Sequence, residues 1–151
     1  MKRVCLFMTL ICMMMVSCKP AEGEDPINPY GSDGNGSDGK HEGHGYVDLG
    51  LSVKWATCNV GATSPEDYGN YYAWGETSPK AEYTWENSVT YGEQMSDISG
   101  NAQYDAATAN WGGSWRMPTK AEYNELLNNC TWEWTTQNGV NGYKVTGPSG
   151  A

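Results

Sequence analysis

The most reactive side chains in this 151-residue sequence belong to five cysteines and two histidines, in a chain with 18 acidic and 9 basic residues. Cys58 and Cys130 lie in the long C-terminal part, which also contains all seven tryptophans. In an exported protein this pair predicts a structural disulfide that closes a loop of about 73 residues. Two buried free thiols, and a catalytic or metal-binding pair, are the alternatives that the sequence leaves open.

The sequence offers no obvious pair of a nucleophile and a base. His41 and His44 both fall in a segment rich in Gly, Ser and Asp, so the region after it has no histidine to act as a base near neutral pH. Carboxylates could form an acid/base pair as in glycosidases, but those available lie in loop-like stretches where solvated surface is the default. They are Glu66, Asp67, Glu76, Glu82 and Glu86. We therefore predict no catalytic residues and no enzymatic activity.

Two local patterns suggest a metal site and then depart from it. Residues 33–37 resemble the start of a calcium loop, but Asp38 stands where that loop needs Gly and His44 where it needs Glu. His41 and His44 would supply only two ligands from a flexible segment, which bind a transition metal weakly. The sequence also lacks the late carboxylate and amide cluster of calcium-dependent lectins. We predict neither a metal nor a cofactor.

Aromatic side chains are the better candidates for function, because the chain has seven Trp and ten Tyr. Flat apolar rings with a polar group suit stacking on sugars or anchoring a protein partner. The candidates are the aromatics in or beside the long loops: Tyr68, Trp74, Tyr83, Trp85, Tyr91 and Tyr104. For each of them structural packing is the alternative. We expect the other five tryptophans in the core or packed against turns: Trp55, Trp111, Trp115, Trp132 and Trp134.

The N-terminus has the pattern of an export signal. Lys2 and Arg3 precede an apolar run over residues 4–16, which is too short to span a membrane as a mature helix. The run ends at Ser17-Cys18 and resembles a bacterial lipoprotein signal, in which the cysteine is acylated. We predict a signal peptide over 1–17 and lipidation at Cys18, with an ordinary secretory peptide as the alternative. The expected location is the outer membrane, lipid-anchored and surface-exposed.

Charge and composition divide the rest of the chain. Without Lys2 and Arg3, seven basic residues face 18 acidic ones, a net charge of −11, which makes nucleic acid an unfavourable partner. Residues 18–45 are rich in Gly, Ser and Asp without apolar periodicity, so we predict a flexible acidic tether. Residues 46–151 form the predicted domain. The expected partners are the membrane, through the lipid anchor, and a glycan or surface-protein ligand.

The elements of the predicted domain are few and short. Thr119 and Glu122 fit a capping box that opens an amphipathic helix over 119–130, and residues 105–110 suggest a short Ala-rich helix. The predicted strands are 46–57, as one strand or a hairpin turning near Gly50, then 69–75, 131–136 and 142–146, the last two flanking an Asn138–Gly139 turn. Short strands, long loops and few helices indicate an α+β fold.

Several blocks resemble one family in order along the chain. They are residues 46–51 (YVDLGL), 55–62 (WATCNVGA), 72–76 (YAWGE), 105–119 (DAATANWGGSWRMPT) and 130–134 (CTWEW). Together they closely resemble the Fibrobacter succinogenes major paralogous domain. Residues 116–123 (RMPTKAEY) are also similar to a segment of formylglycine-generating enzymes, whose frame is C-type-lectin-like. The resemblance implies that fold and a secreted or lipid-anchored surface protein. It implies no catalysis, because the reactive cysteines of those enzymes have no counterpart here.

The family domain usually continues beyond the Gly-Pro-Ser-Gly of residues 147–150 with further strands. We therefore expect a domain that is incomplete at its C-terminus and has an open sheet edge, which is a template for pairing with a partner. The function that follows is a lipid-anchored surface protein with a binding module. The alternatives are a structural component of the cell surface that assembles through the open edge, and a truncated paralogue without independent function.

Overall fold

The structure is a computed structural model that describes residues 39–151 and, as backbone, Ser17–Cys18. The predicted tether up to residue 38 and the signal peptide before Ser17 lie outside the described residues. The described helices are α1 (Ala106–Trp111) and α2 (Lys120–Asn129). The strands are β1 (Ser17–Cys18), β2 (Gly39–His41), β3 (His44–Val47), β4 (Lys54–Ala56), β5 (Trp115–Arg116), β6 (Thr131–Gln137) and β7 (Val140–Thr146). Small antiparallel sheets with short helices confirm the α+β prediction.

The larger sheet has five antiparallel strands in the order β2-β3-β4-β1-β5. Strands β3 and β4 pair with Val47 opposite Trp55, so residues 46–57 form a hairpin around a turn at Gly50. Ser17 pairs with Trp55 on one side and Arg116 on the other, so the backbone of β1 joins β4 to β5. Of the two alternatives for residues 46–57, one strand or a hairpin turning near Gly50, the structure shows the hairpin.

The folded region begins earlier than predicted. Strands β2 and β3 form a tight hairpin with His41 opposite His44, in the stretch assigned to the tether. The His44 ring stacks on Trp111 at 4.0 Å between centroids, and Trp115 Nε1 donates to the His41 carbonyl at 2.9 Å. These aromatic contacts supply the burial that the local composition lacks. The expectation of a flexible 39–45 segment, and of a domain without histidine, is therefore wrong.

Helix α2 follows its sequence signals closely. The Thr119 side chain accepts from the Glu122 N–H at 3.3 Å, and the Glu122 carboxylate accepts from the Thr119 N–H at 2.8 Å, which is the capping box. Leu126 is 1% exposed and carries the apolar face into the core. The predicted helix is confirmed, with Thr119 and Cys130 as its caps.

A buried carboxylate organises helix α1. Asp105 is fully buried, and its two oxygens accept four backbone N–H groups at 2.8–3.1 Å. The donors are Gly100, Ala107, Thr108 and Met117. Asp105 is therefore the N-cap of α1. It also joins this helix to Gly100, in the preceding loop, and to Met117, which follows β5. The predicted short helix is confirmed.

Strands β6 and β7 form a separate two-stranded sheet, closed by Asn138 and Gly139 in positive-φ conformations. Both predicted strands and their turn are confirmed. The predicted strand over 69–75 is wrong, because this segment has no regular structure and ends in a turn, in which the Glu76 N–H donates to the Ala73 carbonyl. Gly69 and Gly75 adopt positive φ, which a strand does not accommodate.

The buried apolar residues form two clusters. The first surrounds Trp115 and Ala107, both fully buried, with Tyr72, Ile98 and Met117 around them. The second contains Leu49, Val53, Trp55 and Leu126, with Trp132 and Val145 packed against it. Trp55 and Trp115 are thus in the core, as expected. Trp134 is 61% exposed, so the expectation that it packs in the core or against a turn is wrong.

Candidate functional site

The longest stretch without regular secondary structure runs from the end of β4 to the start of α1 and carries most of the exposed aromatic side chains. We call its middle part, residues 71–91, the aromatic loop. Its large exposed side chains are Tyr71, Trp74, Tyr83, Trp85, Val89 and Tyr91, each 46–75% exposed. Such side chains normally avoid water, so their shared location on one loop marks a candidate binding surface.

An ion pair holds the middle of the aromatic loop. Lys80 Nζ lies 2.7 and 2.8 Å from the two carboxylate oxygens of Glu76 and also donates to the Asn87 carbonyl at 2.6 Å. Glu76 accepts the Val89 N–H at 2.9 Å as well. Burial raises the pKa of Glu76, but the hydrogen bonds from Lys80 and Val89 outweigh it, so that its pKa lies below the ordinary value. The carboxylate is thus ionised and ties both arms of the loop together.

Further contacts hold the backbone of the aromatic loop and the Tyr83 side chain. The Tyr83 hydroxyl donates to the Tyr71 carbonyl at 2.5 Å and accepts the Lys80 N–H at 3.1 Å. The Thr90 hydroxyl donates to the Trp74 carbonyl at 2.6 Å. Trp85 and Tyr91 meet edge to face, with ring centroids 5.1 Å apart and an interplanar angle of 88°. The loop is therefore held by specific contacts even though it lacks helices and strands.

Four of the six predicted ligand-binding aromatics lie on this loop, and two of them, Trp85 and Tyr91, are in contact. The four are Trp74, Tyr83, Trp85 and Tyr91. Sequence reasoning missed Tyr71 and Val89. No local pattern distinguished Tyr71 from Tyr72, which follows it in the sequence and is buried.

The other two predicted aromatics lie elsewhere. Tyr104 packs against the first core cluster, so it is a structural side chain. Tyr68 is half exposed, but its hydroxyl donates to the Asn141 carbonyl at 3.1 Å, which places it beside strand β7.

The two cysteines of the domain are free thiols, so the predicted Cys58–Cys130 disulfide is not formed. Cys130 caps α2 and packs against the second core cluster. Burial, together with the negative charge of Glu125, raises its pKa. Cys58 follows β4, with its sulfur 3.7 Å from the Thr57 hydroxyl. Of Cys18, the predicted lipidation site, the structure describes only the backbone of β1.

Among the described residues, no group of three or more His, Cys, Asp or Glu side chains is placed to hold a metal ion. In the same part of the chain, neither helix has the length and apolar character needed to cross a bilayer. No protein-family model, curated protein or solved structure matches this chain.

Proposed function

We propose that this protein is a non-catalytic, lipid-anchored protein of the outer-membrane surface that binds a glycan through the aromatic loop. The signal-like sequence ending at Cys18 supports the anchor, and the resemblance to the Fibrobacter succinogenes major paralogous domain supports the surface location. A C-type-lectin-like frame belongs to the same proposal. Small antiparallel sheets with long loops are compatible with it.

The single observation behind the binding role is the fixed, exposed pair of Trp85 and Tyr91, each 61% exposed. The apolar face of a pyranose ring can stack on such a side chain, while its hydroxyls remain available for hydrogen bonds. Exposed Glu82, Glu86 and Glu93 surround the pair in sequence and provide acceptors for those hydroxyls. Because hydrogen bonds already fix the loop, binding costs little ordering entropy. A surface protein is the other ligand class that these side chains suit.

Replacing Trp85 and Tyr91 together by Ala in the full chain tests this proposal. Binding to a panel of immobilised pyranose oligosaccharides should weaken about tenfold or more, as at interface residues that carry much of the binding energy. Trp134→Ala is the matched control, because Trp134 has the same 61% exposure but lies on β6. Equal retention by the double variant, with an unchanged thermal melt, would exclude the aromatic loop as the binding surface.

An assembly role is the second candidate, because a specific surface favours it. Trp134 and Tyr143 are both exposed and meet at 4.9 Å on the β6–β7 hairpin. Within the described residues this sheet has only two strands, so both outer edges lack a strand partner. If copies assemble through this hairpin, molar mass by light scattering should rise with concentration, and Trp134→Ala should reduce that rise. A constant monomer mass would contradict the assembly role.

A further inference from the structure

The aromatic loop and the two residues that follow it carry an excess of negative charge. Residues 71–93 contain four glutamates and one lysine, which gives a net charge of −3. The lysine is already engaged, because Lys80 Nζ lies 2.7 Å from a carboxylate oxygen of Glu76 and donates to the Asn87 carbonyl at 2.6 Å. This stretch therefore offers no unpaired cation to a ligand carboxylate or sulfate, so an anionic glycan is disfavoured here.

The three remaining glutamates are Glu82, Glu86 and Glu93, and all three are exposed. None of them forms an ion pair with a described residue. Glu86 follows Trp85 directly, and Glu93 stands two residues after Tyr91. Consecutive Cα atoms are about 3.8 Å apart, so these two glutamates start within about 8 Å of the aromatic positions. Their charges act on a molecule stacked there, because the Debye length is about 10 Å at about 0.1 M salt.

The aromatic pair itself favours a cation. Trp85 and Tyr91 meet at 88° with their centroids 5.1 Å apart, so the edge of one ring covers only one face of the other. The open faces carry the negative part of the ring quadrupole, which attracts ammonium groups. The loop shows such a contact at another ring, where Lys80 Nζ lies 5.7 Å from the Tyr83 centroid. In the described part of the chain, neither Trp85 nor Tyr91 has a Lys or Arg side chain over its ring.

We propose that the glycan bound by the aromatic loop is built from amino sugars, with a sugar ring stacked on Trp85 or Tyr91 and its protonated amine held by the exposed glutamates. This inference rests on the glycan-binding function proposed above and specifies the class of glycan. Each ammonium group donates charge-assisted hydrogen bonds to carboxylate oxygens. A neutral sugar makes only the stacking contact and ordinary hydrogen bonds, whereas a uronic or sulfated sugar meets like charge.

Isothermal titration calorimetry of the full chain tests the charge and the ring separately. The probes are a β-1,4-linked glucosamine tetramer, the glucose tetramer with the same linkage, and N-acetyl tetralysine, which has amines but no sugar. At about pH 6 the sugar amines carry protons, since an α-amino group titrates near about 8. At about 0.1 M salt the glucosamine tetramer should bind about tenfold more tightly than either other probe. Its advantage over glucose should fall to about threefold at about 1 M salt.

The possible failures are distinguishable. If neither sugar tetramer binds, the glycan-binding function is refuted, and this inference with it. Equal affinity for the two sugar tetramers would overturn only the amino-sugar assignment, since the protein would still bind a glycan. Tetralysine bound as tightly as the glucosamine tetramer would also overturn the assignment, because charge alone would then explain the affinity.

Two double variants locate the effect on the protein. Glu86→Gln with Glu93→Gln removes two charges beside the aromatic pair, so the preference for glucosamine over glucose should fall from about tenfold to about threefold. Glu42→Gln with Glu133→Gln is the matched control, because these glutamates are also exposed but lie in the β2–β3 turn and on β6. The control should keep the preference of the parent, and both variants should keep its thermal melt. An equal preference in the two double variants would overturn the proposal.

Discussion

Replacing Glu122 by Gln should remove most of the acid sensitivity that the ion pair with Arg116 gives this protein. The Arg116 guanidinium contacts both carboxylate oxygens, with Nη1–Oε2 at 2.8 Å and Nη2–Oε1 at 2.5 Å. These bonds, opposed by burial and aided by the Thr119 N–H, lower the pKa of Glu122 from 4.5 to about 2. Gln retains the capping box, because its side-chain oxygen can accept the Thr119 N–H. The substitution therefore removes the ion pair while keeping the helix cap.

The size of the effect follows from the pKa. A fall from 4.5 to about 2 corresponds to at most about 3.4 kcal/mol of stability. Both side chains are partly exposed, at 17% for Arg116 and 15% for Glu122, and solvent screening reduces this to about 1–2 kcal/mol. The folded pKa is the lower one, so the full contribution is present above about pH 5. It is lost as pH falls from about 4.5 towards 2, because the unfolded chain takes up the proton first.

Urea denaturation followed by tryptophan fluorescence measures this effect at pH 7 and pH 3. Glu122→Gln should be less stable than the parent by about 1–2 kcal/mol at pH 7, and the difference should fall by about half at pH 3. Glu93→Gln controls for loss of one exposed charge. In an Arg116→Met background the substitution should cost much less. A difference between parent and Glu122→Gln that is the same at both pH values would refute the reasoning.

Three further predictions follow from side chains in the described part of the chain. Asp105→Ala leaves four backbone N–H groups without their acceptor, so urea denaturation should show a loss of about 3 kcal/mol or more; a loss below 1 kcal/mol would contradict this role. Burial lowers the pKa of His44, so the free energy of unfolding should decrease as pH falls below about 6.5, because the unfolded chain binds the proton first. Thermal melts between pH 7.5 and 5 should show a smaller decline for His44→Phe, and an equal decline would contradict that assignment. Because Cys58 and Cys130 are free, a reductant should leave the melting temperature of the domain unchanged, whereas a lowered one would indicate a bridge.

Local signals account for what the sequence predicted correctly. The capping box at Thr119 and Glu122, the Asn138–Gly139 turn and the alternation in residues 131–136 act over a few residues, so neighbouring side chains decide the outcome. The α+β class follows from these elements. Within the candidate site, Trp74 and Trp85 were identifiable because loop-like composition around an aromatic favours exposure.

Long-range contacts account for what the sequence could not predict. His41 and His44 are part of the fold because Trp111 and Trp115, some 70 residues later, pack against them, and nothing in the Gly-rich segment indicates those partners. Trp134 follows the alternation of residues 131–136, but the alternation alone does not show which face of the two-stranded sheet is buried. That depends on which elements pack against the sheet. A cavity lined by Trp55, Tyr68 and Tyr143 is formed by segments distant in sequence, so no local pattern marks it.

The way the two sheets are connected determines the order in which the protein can fold. Helix α2 and the β6–β7 hairpin close over a few residues, so they can form within microseconds. In the five-stranded sheet, by contrast, the Trp115–His41 hydrogen bond joins positions 74 residues apart. Closing loops of that length costs entropy before any contact compensates it, so such pairings form slowly. The β2–β3 hairpin should therefore join the folding chain last, and opening of this hairpin should be the first step of unfolding.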